Sequence, residues 1–395
     1  MALALAVTLA WLAPASDAKK RVSHSGQYLK LAKKGLSDAR RYWWDSQHNW
    51  FDDRLNDTDQ NPLGTVWTMF GVWEAYSGVA TAQPTPSHKS DVEWFSNFAE
   101  SYFNHALGGY GPYPGSYAST DTLWYDDNAW WGLGFMDAYQ VTHDQRYVND
   151  AAAALNFMDS SGWNKSTHTF GWNNKQSNAG SNLETLGGAA ALAAELYEAT
   201  GTGRYRQMAH RYIRWGQARA NWTYKKHKKK RHHHWHGIYR AKDEGPLSYI
   251  EGTFLGADLA LCRSGQDTAC MSAWQLASKT WTHYHGRDPF YKPPADTILF
   301  RYVLRTVGEP KVQQAASQNP GGGISLPKLW RWARKAGEDA LNNARNKQGL
   351  FVKFWDGSKA SSHHDGYRSY SYGQLLTHGA PVALLAWLGA IKEPQ

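Results

Sequence analysis

Two stretches of this chain repeat each other. "LGFMDAYQVTHDQRYVNDAAAALNFM" and "AALAAELYEATGTGRYRQMAHRYIRW" superpose with Tyr139 on Tyr197, Thr142 on Thr200, Arg146 on Arg204 and Tyr147 on Tyr205, each pair 58 residues apart. A weaker third copy, "LGADLALCRSGQDTACMSAWQLASKTW", follows 64 positions later with Gly265 opposite Gly201. In each copy an apolar run passes through a short turn into an amphipathic run, the pattern of an αα-hairpin. One hairpin cannot bury its apolar face alone, so the repeat restricts the chain to stacked or ring-closed helix pairs.

Periodicity of 3.6 residues and Gly or Pro punctuation predict twelve helices, near 24–44, 63–79, 91–107, 126–142, 145–160, 184–200, 203–219, 248–264, 268–284, 294–307, 327–345 and 372–391. Those starting at 63, 126, 184, 248, 294 and 372 are rich in Ala, Gly, Leu and Trp all round, as helices buried on both sides must be. The intervening ones keep a polar face, as in "RYRQMAHRYIRWGQAR". Six hairpins with an inner and an outer ring describe an all-α fold, an (α/α)6 barrel forming a single domain over 19–395. The other architecture open to such a repeat is an α-solenoid, which needs polar capping repeats. No strand alternation is visible.

Residues 1–18, within "MALALAVTLAWLAPASDAKK", form an apolar run too short to span a bilayer, followed by small residues that fit a signal peptidase site. The expectation is a secreted protein without stable membrane association, because no later apolar run is long enough to span and the C-terminus lacks a lipid-anchor pattern. Cys262 and Cys270 are the only cysteines, and a local disulfide is expected between them in an exported chain. Asn56, Asn164 and Asn221 lie in sequons.

The net charge of +9 is concentrated. "KKHKKKRHHHWH", 225–236, carries six Lys and Arg, two-thirds of that charge. A basic surface insertion accounts for it, so the charge does not indicate nucleic acid. Its five His are irregularly spaced and have no neighbouring Cys, which does not match a metal site. No metal or cofactor is expected.

The chain holds 21 Trp and 22 Tyr, an excess suited to stacking on the C–H faces of sugars. The densest aromatic stretch is "WYDDNAWWGLG", where Asp126 and Asp127 stand side by side at the start of an inner helix. One Asp there would be a cap. Two adjacent carboxyl groups repel each other, so one stays ionised while the other is pushed toward the neutral acid, and aromatic walls raise it further. Retaining glycoside hydrolysis needs two such carboxyls about 5–5.5 Å apart, a spacing that neighbours on a helix can reach.

"YDDNAWWGLGFMDAYQVTHDQRY" resembles the signature of glycoside hydrolase family 76, the endo-α-1,6-mannanases. The likeness extends over "ALAAELYEATGTGRYRQMAHRYIRW", "SYIEGTFLGADLAL" and "SYGQLLTHGAPVALLAWL". It implies an (α/α)6 barrel and a retaining enzyme without a metal, with Asp126 as nucleophile, Asp127 as general acid/base and a mannan-type polysaccharide as partner. Candidate sugar contacts are Trp124, Tyr125, Asn128, Trp130 and Trp131 around the pair, and Trp67 near the start of the first inner helix. Tyr249, Glu251 and Gly252 join them, in a stretch where the family usually reads Tyr-Asn-Gln-Gly and this chain has Glu251. Core positions are expected for Trp73 and His378, turn or cap roles for Asp52, Asp53 and Asp121, and capping or sugar bonding for Glu184.

Competing functions are a wall transglycosidase on the same site, another (α/α)6 enzyme such as a uronyl hydrolase or sugar epimerase, and a non-catalytic carbohydrate-binding protein. An epimerase would use paired His on inner helices, and no convincing pair is present.

Overall fold

Thr65 stops an extended segment and starts a helix: its hydroxyl accepts from the backbone N–H of Thr68, satisfying a first-turn donor. In the helix that follows, every residue from Thr68 to Ala80 is buried, which is what the all-round apolar sequence requires. A computed structural model describes residues 24–55, 63–175, 183–227, 238–239, 247–285, 293–358 and 373–394. Its helices are α1 (His24–Tyr42), α2 (Val66–Ala82), α3 (Pro86–Ala99), α4 (Tyr125–Thr142), α5 (Gln145–Phe157), α6 (Leu183–Thr200) and α7 (Gly203–His227). The chain continues with α8 (Ser248–Arg263), α9 (Asp267–Tyr284), α10 (Pro293–Gly308), α11 (Pro310–Gln318), α12 (Leu326–Asn343) and α13 (Leu375–Ala390).

Helices α2, α4, α6, α8, α10 and α13 pack each on the next, and α13 packs on α2. That closes a ring, with α1, α3, α5, α7, α9 and α12 outside it, so the (α/α)6 barrel is the fold and the open solenoid is excluded. The closing seam is tight, since a Cβ on Gly71 would lie 2.7 Å from the carbonyl carbon of Gly379. Among the described residues no helix is long and apolar enough to cross a membrane. Cys262 and Cys270 are disulfide-bonded at the turn from α8 to α9.

Three features depart from the sequence reading. The short helix α11 was not expected. Helix α3 starts five residues earlier than expected, where Thr85 caps it and Pro86 occupies its first turn, and it ends before Phe103. The residues expected to extend it instead form a two-stranded hairpin, β3 (Phe103–Asn104) with β4 (Gly109–Tyr110). Matching hairpins follow α1, as β1 (Trp44–Asp45) with β2 (Trp50–Phe51), and α5, as β5 (Trp163–Asn164) with β6 (Thr169–Phe170). Each turns through a left-handed residue, Asn49, Gly108 or His168, and each uses an Asp45, Asn104 or Asn164 side chain to accept backbone N–H groups of the turn. Two-residue strands are too short to show alternation, which is why the sequence hid them.

These connections carry the chain from the end of an outer helix to the start of the next inner one. The inner helices therefore all begin at one end of the barrel, and six positive helix termini surround one mouth.

Deep in the ring a set of charges is shut away from water. Arg301 of α10 is fully buried, donates to Glu74 of α2 and donates at 2.6 Å to Asp137 of α4. Arg305 reaches Gln140 at 2.7 Å and lies 3.8 Å from Glu195 of α6. Burial outweighs the attraction of Arg301 and pushes the Glu74 carboxyl up to about 7.

Residues 1–18, Asn56 and 228–236 of the basic insertion lie outside the described residues. The first residues of the insertion, 225–227, continue α7.

Candidate active site

Trp124 leads into α4 in extended backbone, which puts Asp126 and Asp127 in the first helical turn at the mouth. Both are half-buried. Removal from water, with the Asp126 charge alongside, holds the Asp127 carboxyl well above the usual carboxylate range. The pair therefore combines a carboxyl biased toward the neutral acid with a neighbouring carboxyl in the same turn.

Three aromatic rings from three inner helices meet beside this turn. Trp67 of α2, Trp130 of α4 and Tyr249 of α8 form a triangle, with centroids 5.9 Å apart for Trp67–Trp130, 5.8 Å for Trp67–Tyr249 and 5.4 Å for Trp130–Tyr249. Trp67 is partly exposed and also packs on Phe354 and Leu376, two residues that sequence reasoning missed. Steps of 100° explain why Trp130 joins the site: it lies three and four residues beyond the Asp pair, hence on the same helical face.

The same rule sends other candidates away from the mouth. Asn128 and Trp131, also three apart, share the face turned toward the hairpin β3–β4. Asn128 is fully buried; its amide accepts from Tyr110 N at 2.8 Å and donates to the carbonyls of Tyr110 at 3.0 Å and Trp124 at 2.8 Å. Trp131 stacks on Tyr110 at 5.6 Å and lies 4.5 Å from Tyr102. Tyr125 packs on Phe157 at 5.3 Å. Trp124 meets Trp172 edge-on at 6.0 Å and pairs through its backbone with Asn173. Gly252 lies where α8 approaches α10, and a Cβ there would come within 2.8 Å of Leu299 Cα. Asn128, Trp131, Tyr125 and Gly252 are thus packed into the interior around the start of α4 and α8, while Trp124 lines the entry to α4.

Further carboxylates sit in the first turns of the next inner helices. Glu184 of α6, Glu251 of α8 and Asp296 of α10 are all buried, and Asp296 accepts a 2.6 Å hydrogen bond from Ser248 Oγ. Asp296 was not foreseen, although its position at the start of an inner helix was the available signal. Among the described residues no group of three or more His, Cys, Asp or Glu is arranged to hold a metal ion. His378 is a core residue: it stacks on Trp43 at 4.8 Å, bonds Gly35 O at 2.9 Å, and burial lowers its pKa to about 4. Asp121 is a turn residue, its carboxylate accepting from Ala118 N at 2.8 Å.

A closed helical barrel with paired carboxyls in unequal environments and an aromatic-walled mouth has the make-up of a glycoside hydrolase. A sequence model of glycosyl hydrolase family 76 matches residues 31–292, and the chain belongs to that family. No curated protein matches it in sequence. Among solved structures it is similar to a family 76 mannosidase from Bacteroides thetaiotaomicron, at 15% identity and TM-score 0.69, covering 92% of this chain and 98% of that one. An α-1,6-mannanase from Salegentibacter sp. matches at 15% identity and TM-score 0.68, over 92% of this chain and all of that one. An inactive variant of the latter, with two aspartates of adjacent number changed to asparagine, is in complex with α-1,6-mannotriose. A cellobiose 2-epimerase from Spirochaeta thermophila is more distant, with TM-score 0.54 and 14% identity.

Proposed function

We propose that this protein is an exported endo-α-1,6-mannanase that works with retention of anomeric configuration. The observation that carries the reading is the Asp pair itself: two consecutive carboxyls at a helix N-terminus, Asp127 biased toward its protonated form, beside the Trp67–Trp130–Tyr249 rings. The inactive mannanase variant with two neighbouring aspartates neutralised, and its bound α-1,6-mannotriose, support an adjacent Asp pair as the catalytic carboxyls and an α-1,6-linked mannan as substrate.

In this mechanism Asp126 attacks the anomeric carbon while Asp127 gives its proton to the departing glycosidic oxygen. A covalent glycosyl-enzyme forms; Asp127, now a carboxylate, deprotonates the water that releases the sugar. The six converging helix termini favour the ionised nucleophile. Export is supported by the apolar segment 1–18 and by the disulfide, a bond that persists in oxidising compartments.

The test is NMR of the first products from linear α-1,6-mannan, with Asp126→Ala run beside the unaltered enzyme. Oligosaccharides with initial α-configuration, absent from the variant, are expected. Initial β-configuration would overturn retention, and no cleavage by the unaltered protein would overturn the mannanase reading.

A further inference from the structure

Away from the mouth, a cavity of about 310 Å³ opens between α1, the second half of α2 and the start of α3. Its floor is the Tyr76 side chain, only 6% exposed. The hydroxyl accepts from Arg40 Nε at 3.1 Å, and its own proton has no acceptor among the described residues. A buried hydroxyl proton at the base of a cavity calls for an acceptor inside that cavity.

The walls answer with fixed positive charge. The Arg40 guanidinium carbon lies 3.9 Å from the Trp94 ring centroid and 5.6 Å from that of Trp44, so an exposed side chain is held in one place by cation–π contact. Its two Nη groups donate to no group among the described residues. Lys33 is steered to the rim by a 3.0 Å bond to Gln83 Oε1, which leaves further ammonium protons unspent. Across from these cations, on α3, stands Asp91, while the exposed Ser37 lies between Lys33 and Arg40 on α1.

A bare anion would use the cations and be repelled by Asp91. A neutral sugar would use Asp91 and leave the Arg40 charge unmatched. We propose that this cavity is a binding site for an anionic sugar, its phosphate or carboxylate held by Arg40, Lys33 and the Tyr76 hydroxyl, and a neighbouring sugar hydroxyl donated to Asp91. The assignment is independent of the chemistry at Asp126 and Asp127, because the cavity lies between the outer helices α1 and α3 and α2 and shares no lining residue with the Asp pair or the rings beside it. Its role would be to hold the enzyme on an acidic saccharide while the mouth engages a separate segment.

The experiment is calorimetric titration of the full chain with glucose 6-phosphate and with glucuronate, beside inorganic phosphate and glucose. Saturable binding of at least one charged sugar is expected, tighter than either control. Tyr76→Phe keeps the buried ring, and Lys33→Ala alters only an exposed residue, so both should fold; each should weaken binding by about tenfold, the effect of losing a hydrogen bond to a charged group. Asp126→Asn should bind unchanged, separating this site from the cleft. Absence of charged-sugar binding, binding equal to that of inorganic phosphate, or binding insensitive to both variants would each overturn the proposal.

Discussion

In the proposed mechanism Asp127 ties activity to pH. Burial and the adjacent Asp126 charge raise its pKa, so it keeps the proton needed by a general acid above the pH at which an ordinary carboxyl has lost it. The sign follows: kcat/KM should fall as pH rises through that raised value, because the acid is then ionised before the leaving group departs. A pH–rate profile on mannan oligosaccharides should show this basic limb, and Asp127→Asn should abolish it along with most of the activity. A limb that persists in residual Asp127→Asn turnover would assign the acid elsewhere. The pair itself was legible in the sequence, since two acids among four large rings have few structural uses. Which of these rings stand beside the pair was not, because adjacent residues of a helix point 100° apart and, of the four, only Trp130 shares the face of the pair. The buried acids Glu74, Asp137 and Glu195 leave a signal in the sequence: each stands two residues before a Tyr in an otherwise apolar inner helix, as in "WEAY", "MDAY" and "AELY".

At the scale of elements, the mouth is built from the connections and the opposite end from the turns within hairpins. The Cys262–Cys270 bridge belongs to the latter, joining the end of α8 to the start of α9. Closing so short a loop should contribute about 2 kcal/mol through the unfolded chain. A Cys262→Ser, Cys270→Ser double variant should therefore lower the denaturant midpoint while leaving kcat and KM unchanged; a loss of activity in the folded variant would show that the two ends of α8 are coupled. Helices were readable because their apolar faces recur over many residues. The hairpins were not, because their information lies in single turn residues: the Asn49, Gly108 and His168 corners and the Asp45, Asn104 and Asn164 side chains that brace them. Aligning "WDSQHNWF", "FNHALGGY" and "WNKSTHTF" would have exposed that second repeat.

Across the whole molecule, stability should carry the imprint of the buried charges. Glu74 has an ordinary pKa of 4.5 in the unfolded chain and about 7 in the fold, so between those values the folded state holds the extra proton. Stability contributed by this group is present in full below about pH 4.5 and declines as pH rises toward 7, by on the order of 3 kcal/mol at most. Glu74→Gln, neutral at every pH and still able to accept from Arg301, should flatten that decline in urea melts at pH 5 and 7.5. An unchanged slope would sink the assignment. The decline has its origin in closure of the ring, which takes the Glu74 carboxyl out of water and outweighs the attraction of Arg301 on α10.

The seam between Gly71 and Gly379 sets a condition on time. Those residues come together from opposite ends of the barrel sequence, and the contact leaves no room for a side chain at Gly71. While the chain is being synthesised, five inner helices can stand next to their neighbours, yet the edge of α2 stays uncovered until α13 has been made. For that interval the nascent barrel is an open crescent with an apolar edge, the form in which multi-helix proteins are most exposed to aggregation and to exchange of helices with another copy.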